Sequence, residues 1–170
     1  MSGVNEKCFA IDCEMVGASE NVHMLARVSI VDRDGHCIYD KYVKPQEEVV
    51  NYRTEVSGIR PEDLSTGEEF DTVSREVKEI LKDCILVGHG LYFDFKVLKL
   101  RHPKHMIRDT ALYKPFRKFT GGKTPSLKLL AKEILNKRIQ TGEHSSIEDA
   151  CAAMQIYLQH REEWEKAAEA

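Results

Sequence analysis

No run of apolar residues in this 170-residue chain approaches the roughly 20 that a membrane-spanning helix requires, so no membrane partner is expected. The opening residues carry charge at Glu6 and Lys7, where a secretory signal would need a continuous apolar stretch. The chain is therefore expected to be soluble and intracellular. Disulfide chemistry is missing as well. The five cysteines, Cys8, Cys13, Cys37, Cys84 and Cys151, are odd in number, form no CxxC pair and sit mostly inside apolar runs. Buried free thiols are expected, not bridges or a zinc site. Repeats, low-complexity stretches and linkers are absent too, and the length suits one core, so residues 1–170 are expected to form a single, monomeric domain.

A strongly basic balance is also lacking. The formal net charge is −3, an average that argues against a nucleic-acid partner. The distribution says otherwise. Between Lys96 and Arg138 there are 13 Lys/Arg against 2 Asp/Glu, while the remainder holds 12 against 26. Such a stretch suits either a phosphate-facing surface or an ordinary solvated face, and charge alone does not choose.

What is present is a readable order of elements. Residues 8–16, 25–32 and 36–43 are rich in β-branched and aromatic residues, and Arg33-Asp34-Gly35 carries the chemistry of a hairpin turn. A loop region with Pro45 and Pro61 follows. Phe70, Val73, Val77, Ile80 and Leu81 recur at helical spacing. Residues 84–87 form a short apolar run closed by Gly88, read as a buried strand, with a helix around Phe95 and Leu98 and a strand over 106–109. The polar stretch 113–123 reads as a loop, Thr124-Pro125 as the start of a helix through Leu135, and Ser145-Ser146-Ile147-Glu148 as a capping box opening the final helix. The pattern predicts an α/β fold in which three antiparallel strands precede parallel ones, with helices on both faces of a mixed sheet.

Three features carry chemistry. Side chains alternate across a strand, so Asp12 and Glu14 share one face while Ile11, Cys13 and Met15 take the other. Two carboxylates in an apolar strand repel each other unless a cation lies between them or that face is in water. Asp94 follows a buried strand at a strand-to-helix junction, where α/β sheets place ligands and where helices also place capping aspartates. His144 lies just before a helix and Asp149 in its first turn, so one helix end presents both. Two look-alikes fail. Gly121-Gly122-Lys123-Thr124 would set the first glycine of a P-loop at Arg117, and His102-Pro103-Lys104-His105 has no cysteine partners for zinc.

In that order, D-x-E, an aspartate after a Gly-His strand end, and H-x4-D, the chain resembles the DEDDh exonucleases. The phrases Asp12-Cys13-Glu14-Met15-Val16-Gly17, Leu25-Ala26-Arg27-Val28-Ser29, Tyr52-Arg53-Thr54, Val56-Ser57-Gly58-Ile59 and His144-Ser145-Ser146-Ile147-Glu148-Asp149-Ala150 resemble the eukaryotic RNA exonuclease four and interferon-stimulated exonuclease group. The similarity runs from about Phe9 to Trp164. It implies a ribonuclease-H-like fold and 3′→5′ hydrolysis of single-stranded RNA, with DNA as an alternative, from 3′ ends to nucleoside 5′-monophosphates. It further implies that Asp12, Glu14, Asp94 and Asp149 bind two Mg²⁺ or Mn²⁺, that His144 is the general base, and that the protein is nuclear or nucleolar. Met15, Arg53, Ser57, Arg108, Arg117, Lys118 and Lys123 are the candidates for contacts to the substrate strand. One departure stands out: relatives commonly carry polar residues directly before the middle aspartate, whereas this chain has Tyr92-Phe93. A non-catalytic binding module that kept the fold is the rival reading, and an endonuclease a third.

Overall fold

The computed structural model describes residues 6–19 and 21–169. Three strands, β1 (Cys8–Ser19), β2 (Val22–Val31) and β3 (Cys37–Tyr42), form an antiparallel meander. After β3 come three helices, α1 (Thr54–Ser57), α2 (Pro61–Ser65) and α3 (Phe70–Leu81), and then β4 (Ile85–Gly88), α4 (Leu91–Leu98) and β5 (Ile107–Asp109). Helices α5 (Leu127–Leu135), α6 (Ser146–Gln159) and α7 (Arg161–Glu169) complete the chain. The sheet order is β3-β2-β1-β4-β5, with β1 antiparallel to β2 and parallel to β4. The expected mixed sheet is the sheet observed.

The alternation of β1 sorts the core into two layers. Cys8 and Ala10 pack with Leu127 and Leu130 of α5 and with Ala150, Ala153 and Tyr157 of α6. Ile11 and Cys13 pack on the opposite side with Val73 and Val77 of α3 and Leu91 and Leu98 of α4. Alanines at 150, 152 and 153 put little bulk between α6 and the sheet, so that helix lies close over the β1 face carrying Asp12 and Glu14. All five cysteines are free thiols, and Cys8, Cys13 and Cys84 are buried. Among the described residues no helix is long and apolar enough to cross a membrane.

The structure departs from the sequence reading at several boundaries. The first hairpin is longer, with β1 continuing to Ser19 and β2 starting at Val22. The region with Pro61 holds α1 and α2, each too short to show a period. Helix α5 is capped by the Ser126 hydroxyl, which accepts from Leu129 N–H, so Thr124-Pro125 lies before the helix rather than at its cap. Residues 114–119 of the expected loop form a 3-10 helix held by buried Phe116. The final helix breaks at His160, and α7 turns so that Trp164 stacks on Tyr113 with ring centroids 4.0 Å apart.

One buried acid that sequence reasoning passed over fixes the β4–α4 junction. The Asp109 carboxylate accepts the backbone N–H groups of Gly90, Leu91 and Ala111, each at 2.9 Å. Gly90 caps α4 at φ +70°, a left-handed conformation that glycine adopts freely. Anchoring a helix N-terminus by a carboxylate satisfies donors that the helix itself leaves open. Replacing Asp109 by Ala strands three donors, and we expect a loss of about 3 kcal/mol in urea-unfolding free energy. A variant as stable as the wild type would show that the clamp contributes nothing.

Candidate active site

Asp12 lies on the central strand just beyond the last β1–β4 pair, Ala10–Val87, so it stands beside the β4–α4 junction. Glu14 follows two residues on, at a register shift between Glu14 and Met15 that re-aims the strand. Asp94 sits in the first turn of α4 and Asp149 in the first turn of α6. The end of α6 is fixed by Ser145, whose hydroxyl accepts from Glu148 N–H, and by Ser146, buried against Ser29 with hydroxyl oxygens 2.6 Å apart. Ser29 donates its proton to Asp40, so Ser146 must donate to Ser29. This chain ties the helix end that carries Asp149 to β2.

The result is a dry, crowded acidic cluster. Glu14, Asp94 and Asp149 are only 6%, 3% and 4% exposed. One carboxylate oxygen of each, Glu14 Oε1, Asp94 Oδ1 and Asp149 Oδ1, is buried with no hydrogen-bond partner. Burial drives Asp12 well above the usual carboxylate range, and Asp94, Asp149 and Glu14 add their repulsion. Burial pushes Glu14 from 4.5 up to about 8, reinforced by Asp149; the cross-strand Arg27 opposes this but is itself committed to Asp40 at 2.8 Å. Asp94 rises to about 7 through burial, against hydrogen bonds from Cys13, and Asp149 rises to about 6 through burial, against the hydrogen bond from Gln140.

His144 completes the cluster. Its backbone N–H donates to Val56 O at 2.7 Å, and its Nδ1 lies 4.0 Å from Asp149 Oδ2, which also accepts from Gln140 Nε2 at 3.1 Å. Ligand atoms of Glu14, His144 and Asp149 all lie within 4.8 Å of one another. Burial, and then the charge of Lys128, lower the pKa of His144, so the imidazole is neutral at neutral pH. Buried carboxylate oxygens without donors are what hard divalent cations coordinate, and the donor set fits such ions.

A family model described as exonuclease (RNase T) matches residues 9–157. The chain belongs to this exonuclease family. It is 55% identical to an RNA exonuclease 4 of Xenopus laevis over 163 residues, covering 95% of this chain and 39% of that one. Identity to the human RNA exonuclease 4 is 54% over 164 residues, with 95% and 39% covered. To that of Saccharomyces cerevisiae it is 48% over 163 residues, with 94% and 56% covered. The chain thus spans about two-fifths to just over half the length of these relatives. Among solved structures it is similar to the Saccharomyces cerevisiae Pan2 exonuclease module in complex with AAGGAA RNA, with TM-score 0.82 and 33% identity over 96% of this chain and 30% of that one. The Neurospora crassa Pan2 catalytic unit is similar at TM-score 0.81 and 31% identity, with 95% and 28% covered. The ribonuclease-H-like fold expected from the sequence is the one observed.

Not every expected residue of this exonuclease domain reaches the cluster. Arg108, expected to meet substrate, is 6% exposed on β5, and its guanidinium donates to both Glu165 oxygens at 2.7 and 2.9 Å and to the His105 and Ile107 carbonyls. It holds α7 against the sheet and has no free donor face. Ser57 is buried, donating to Tyr52 O and accepting Ile59 N–H, so its hydroxyl closes the α1 loop. Arg53, at φ +50°, lays its guanidinium over Gly17, where a Cβ would come within 3.3 Å of Nη2. Met15 is half-buried against the α3–α4 layer, and Arg117, Lys118 and Lys123 are exposed between β5 and α5. Gln140 and Asp109 were missed, because single polar residues outside any motif give no local sign of what they will bond, and Cys13, inside the D-x-E phrase, gave no sign that it would bond Asp94.

Carboxyls whose folded pKa is raised bind more protons in the native than in the unfolded state, so stability falls as pH climbs from the ordinary carboxylate range through the folded values, here between about 4 and about 8. For cation-free protein we expect the melting temperature to drop by roughly 5–10 °C between pH 5.5 and 8.5, most of it recovered on adding Mg²⁺ or Mn²⁺. A flat profile with no response to cations in scanning calorimetry would mean that the acids are not crowded as described.

Proposed function

We propose that this domain is a divalent-cation-dependent 3′→5′ exonuclease that hydrolyses single-stranded RNA, in preference to DNA, to nucleoside 5′-monophosphates. The observation that carries the reading is the convergence of Glu14 and Asp149, each with an orphaned buried carboxylate oxygen, on the neutral imidazole of His144, with Asp94 similarly orphaned. Relatives bearing the name RNA exonuclease and a Pan2 module solved with RNA support the choice of substrate.

Asp12, Glu14, Asp94 and Asp149 would hold two Mg²⁺ or Mn²⁺. Bound there, such ions supply charge neutralisation and Lewis acidity to an in-line displacement at phosphorus. The protein's part is to hold four acids in one place, where bound cations would keep them deprotonated, to keep bulk water out, and to set a base beside the attacking water. His144 is positioned for that last task. Its lowered pKa leaves a nitrogen lone pair free at neutral pH, so it accepts the water proton as the oxygen bonds to phosphorus. The 3′ oxygen of the preceding nucleotide leaves, and the terminal nucleotide departs with a 5′-phosphate. Val56 O and the nearby Asp149 carboxylate hold the histidine in place. A binding module without catalysis, the alternative reading, gives no account of a base placed beside unsatisfied acids.

A 3′-labelled single-stranded RNA incubated with Mg²⁺ is expected to release labelled mononucleotide, and EDTA to stop it. Asp12→Ala and Asp149→Ala should lose at least about 10³-fold in kcat with the far-UV circular dichroism retained, and His144→Ala about 10²–10⁴-fold with RNA affinity retained. Circular RNA should survive intact and matched DNA should be degraded more slowly. Full activity in Asp149→Ala would refute the site, and cutting of the circle would make the enzyme an endonuclease.

A further inference from the structure

Two aromatic rings beside the cluster have no structural employment. Tyr92 and Phe93, the residues directly before Asp94, are 69% and 60% exposed, whereas Leu91, Asp94 and Leu98 take the buried side of α4. Large rings left in water forgo the burial that usually makes them worthwhile. They meet edge to face, with centroids 5.6 Å apart and planes at 82°. In that arrangement the ring supplying its edge keeps both faces open, and its partner keeps one. Open ring faces of this kind are what an unstacked nucleobase packs against.

The surrounding charge matches a nucleic-acid strand. Lys96 is exposed one turn along α4, three and four residues beyond the rings, and so on their side of the helix. His23 stands opposite Gly17 in the β1–β2 ladder, and the Arg53 guanidinium lies over that same glycine. Burial lowers the pKa of His23, and the charges of Arg53 and Lys96 lower it further. The rings and Lys96 thus share the exposed side of α4, and Asp94 of the acidic cluster directly follows the rings in the same first turn.

We infer that Tyr92 and Phe93 form a stacking subsite for one nucleobase of the single-stranded substrate, with Lys96 and Arg53 beside the phosphate that follows. This rests on the exonuclease reading and adds to it a determinant of strand choice. Stacking on a ring face is indifferent to base identity, because every base has a π face, but it requires a base free of its own duplex neighbours. The subsite therefore favours single strands without favouring a sequence.

The test uses short single-stranded RNAs that carry 2-aminopurine, or an abasic ribose, at each of the first few positions from the 3′ end. Binding is measured in EDTA by fluorescence, and degradation separately with Mg²⁺. In the wild type, 2-aminopurine should be quenched at one register, and an abasic residue at that register should weaken binding on the order of tenfold. The Tyr92→Ala/Phe93→Ala protein should lose the quenching, bind intact RNA about tenfold more weakly, show a raised KM, and be insensitive to the abasic substitution. Restoring rings of similar shape, as Tyr92→Phe with Phe93→Tyr, should restore both effects. Equal binding by the double alanine variant, or an abasic penalty that persists in it, overturns the inference. A wild-type protein that binds RNA but degrades neither RNA nor DNA would sink the exonuclease reading instead, and the degradation arm reports that independently of Tyr92 and Phe93.

Discussion

Mutual repulsion among four clustered carboxyls, three of them buried, is the constraint around which this fold is organised. Left to itself, such a cluster would protonate or open. It cannot open, because each element that bears an acid has its own anchor, so without cations it takes up protons instead. Asp12 and Glu14 ride on the central strand, paired there with β2 just beyond its last pair with β4. The Asp109 clamp fixes the first turn of α4, and the Ser146–Ser29–Asp40 chain fixes the first turn of α6. Packing and hydrogen bonding elsewhere offset an arrangement that is locally unfavourable, a common trade at functional sites.

The same arrangement explains why net charge misleads. An acidic average of −3 would repel a polyanion, yet several of the acids behind that average lie in the cluster, where bound cations would cancel them. The side chains facing outward along residues 117–123 are basic. Charge matters here by location, since exposed charges separated by more than a Debye length of about 8–10 Å scarcely feel one another in physiological salt.

How much of this was legible depended on range. Strand alternation placed Asp12 and Glu14 on one face from two residues of separation, and helical period found α3, because both signals are local. The D-x-E, Asp94 and H-x4-D order was legible as a resemblance spanning most of the chain. Sequence gave no warning that Arg108 would turn inward to meet Glu165, 57 residues on, because a basic stretch looks the same whether its members point in or out. Gln140 reaching Asp149 and Val56 accepting from His144 are likewise pairings that only the folded chain brings about. Helices α1 and α2, of four and five residues, fall below the length at which a period can be seen.

The Val56–His144 hydrogen bond has a mechanical side. A second tie runs parallel to it, for Arg60 reaches Glu143 from the α2 end of the same segment, and Gly58 packs against the His144 carbonyl. The histidine is thereby riveted to the stretch of chain that also carries Arg53 over the far end of β1. Anything that leans on that stretch leans on the imidazole as well, so the proposed grip and the proposed proton acceptance would share a single chassis.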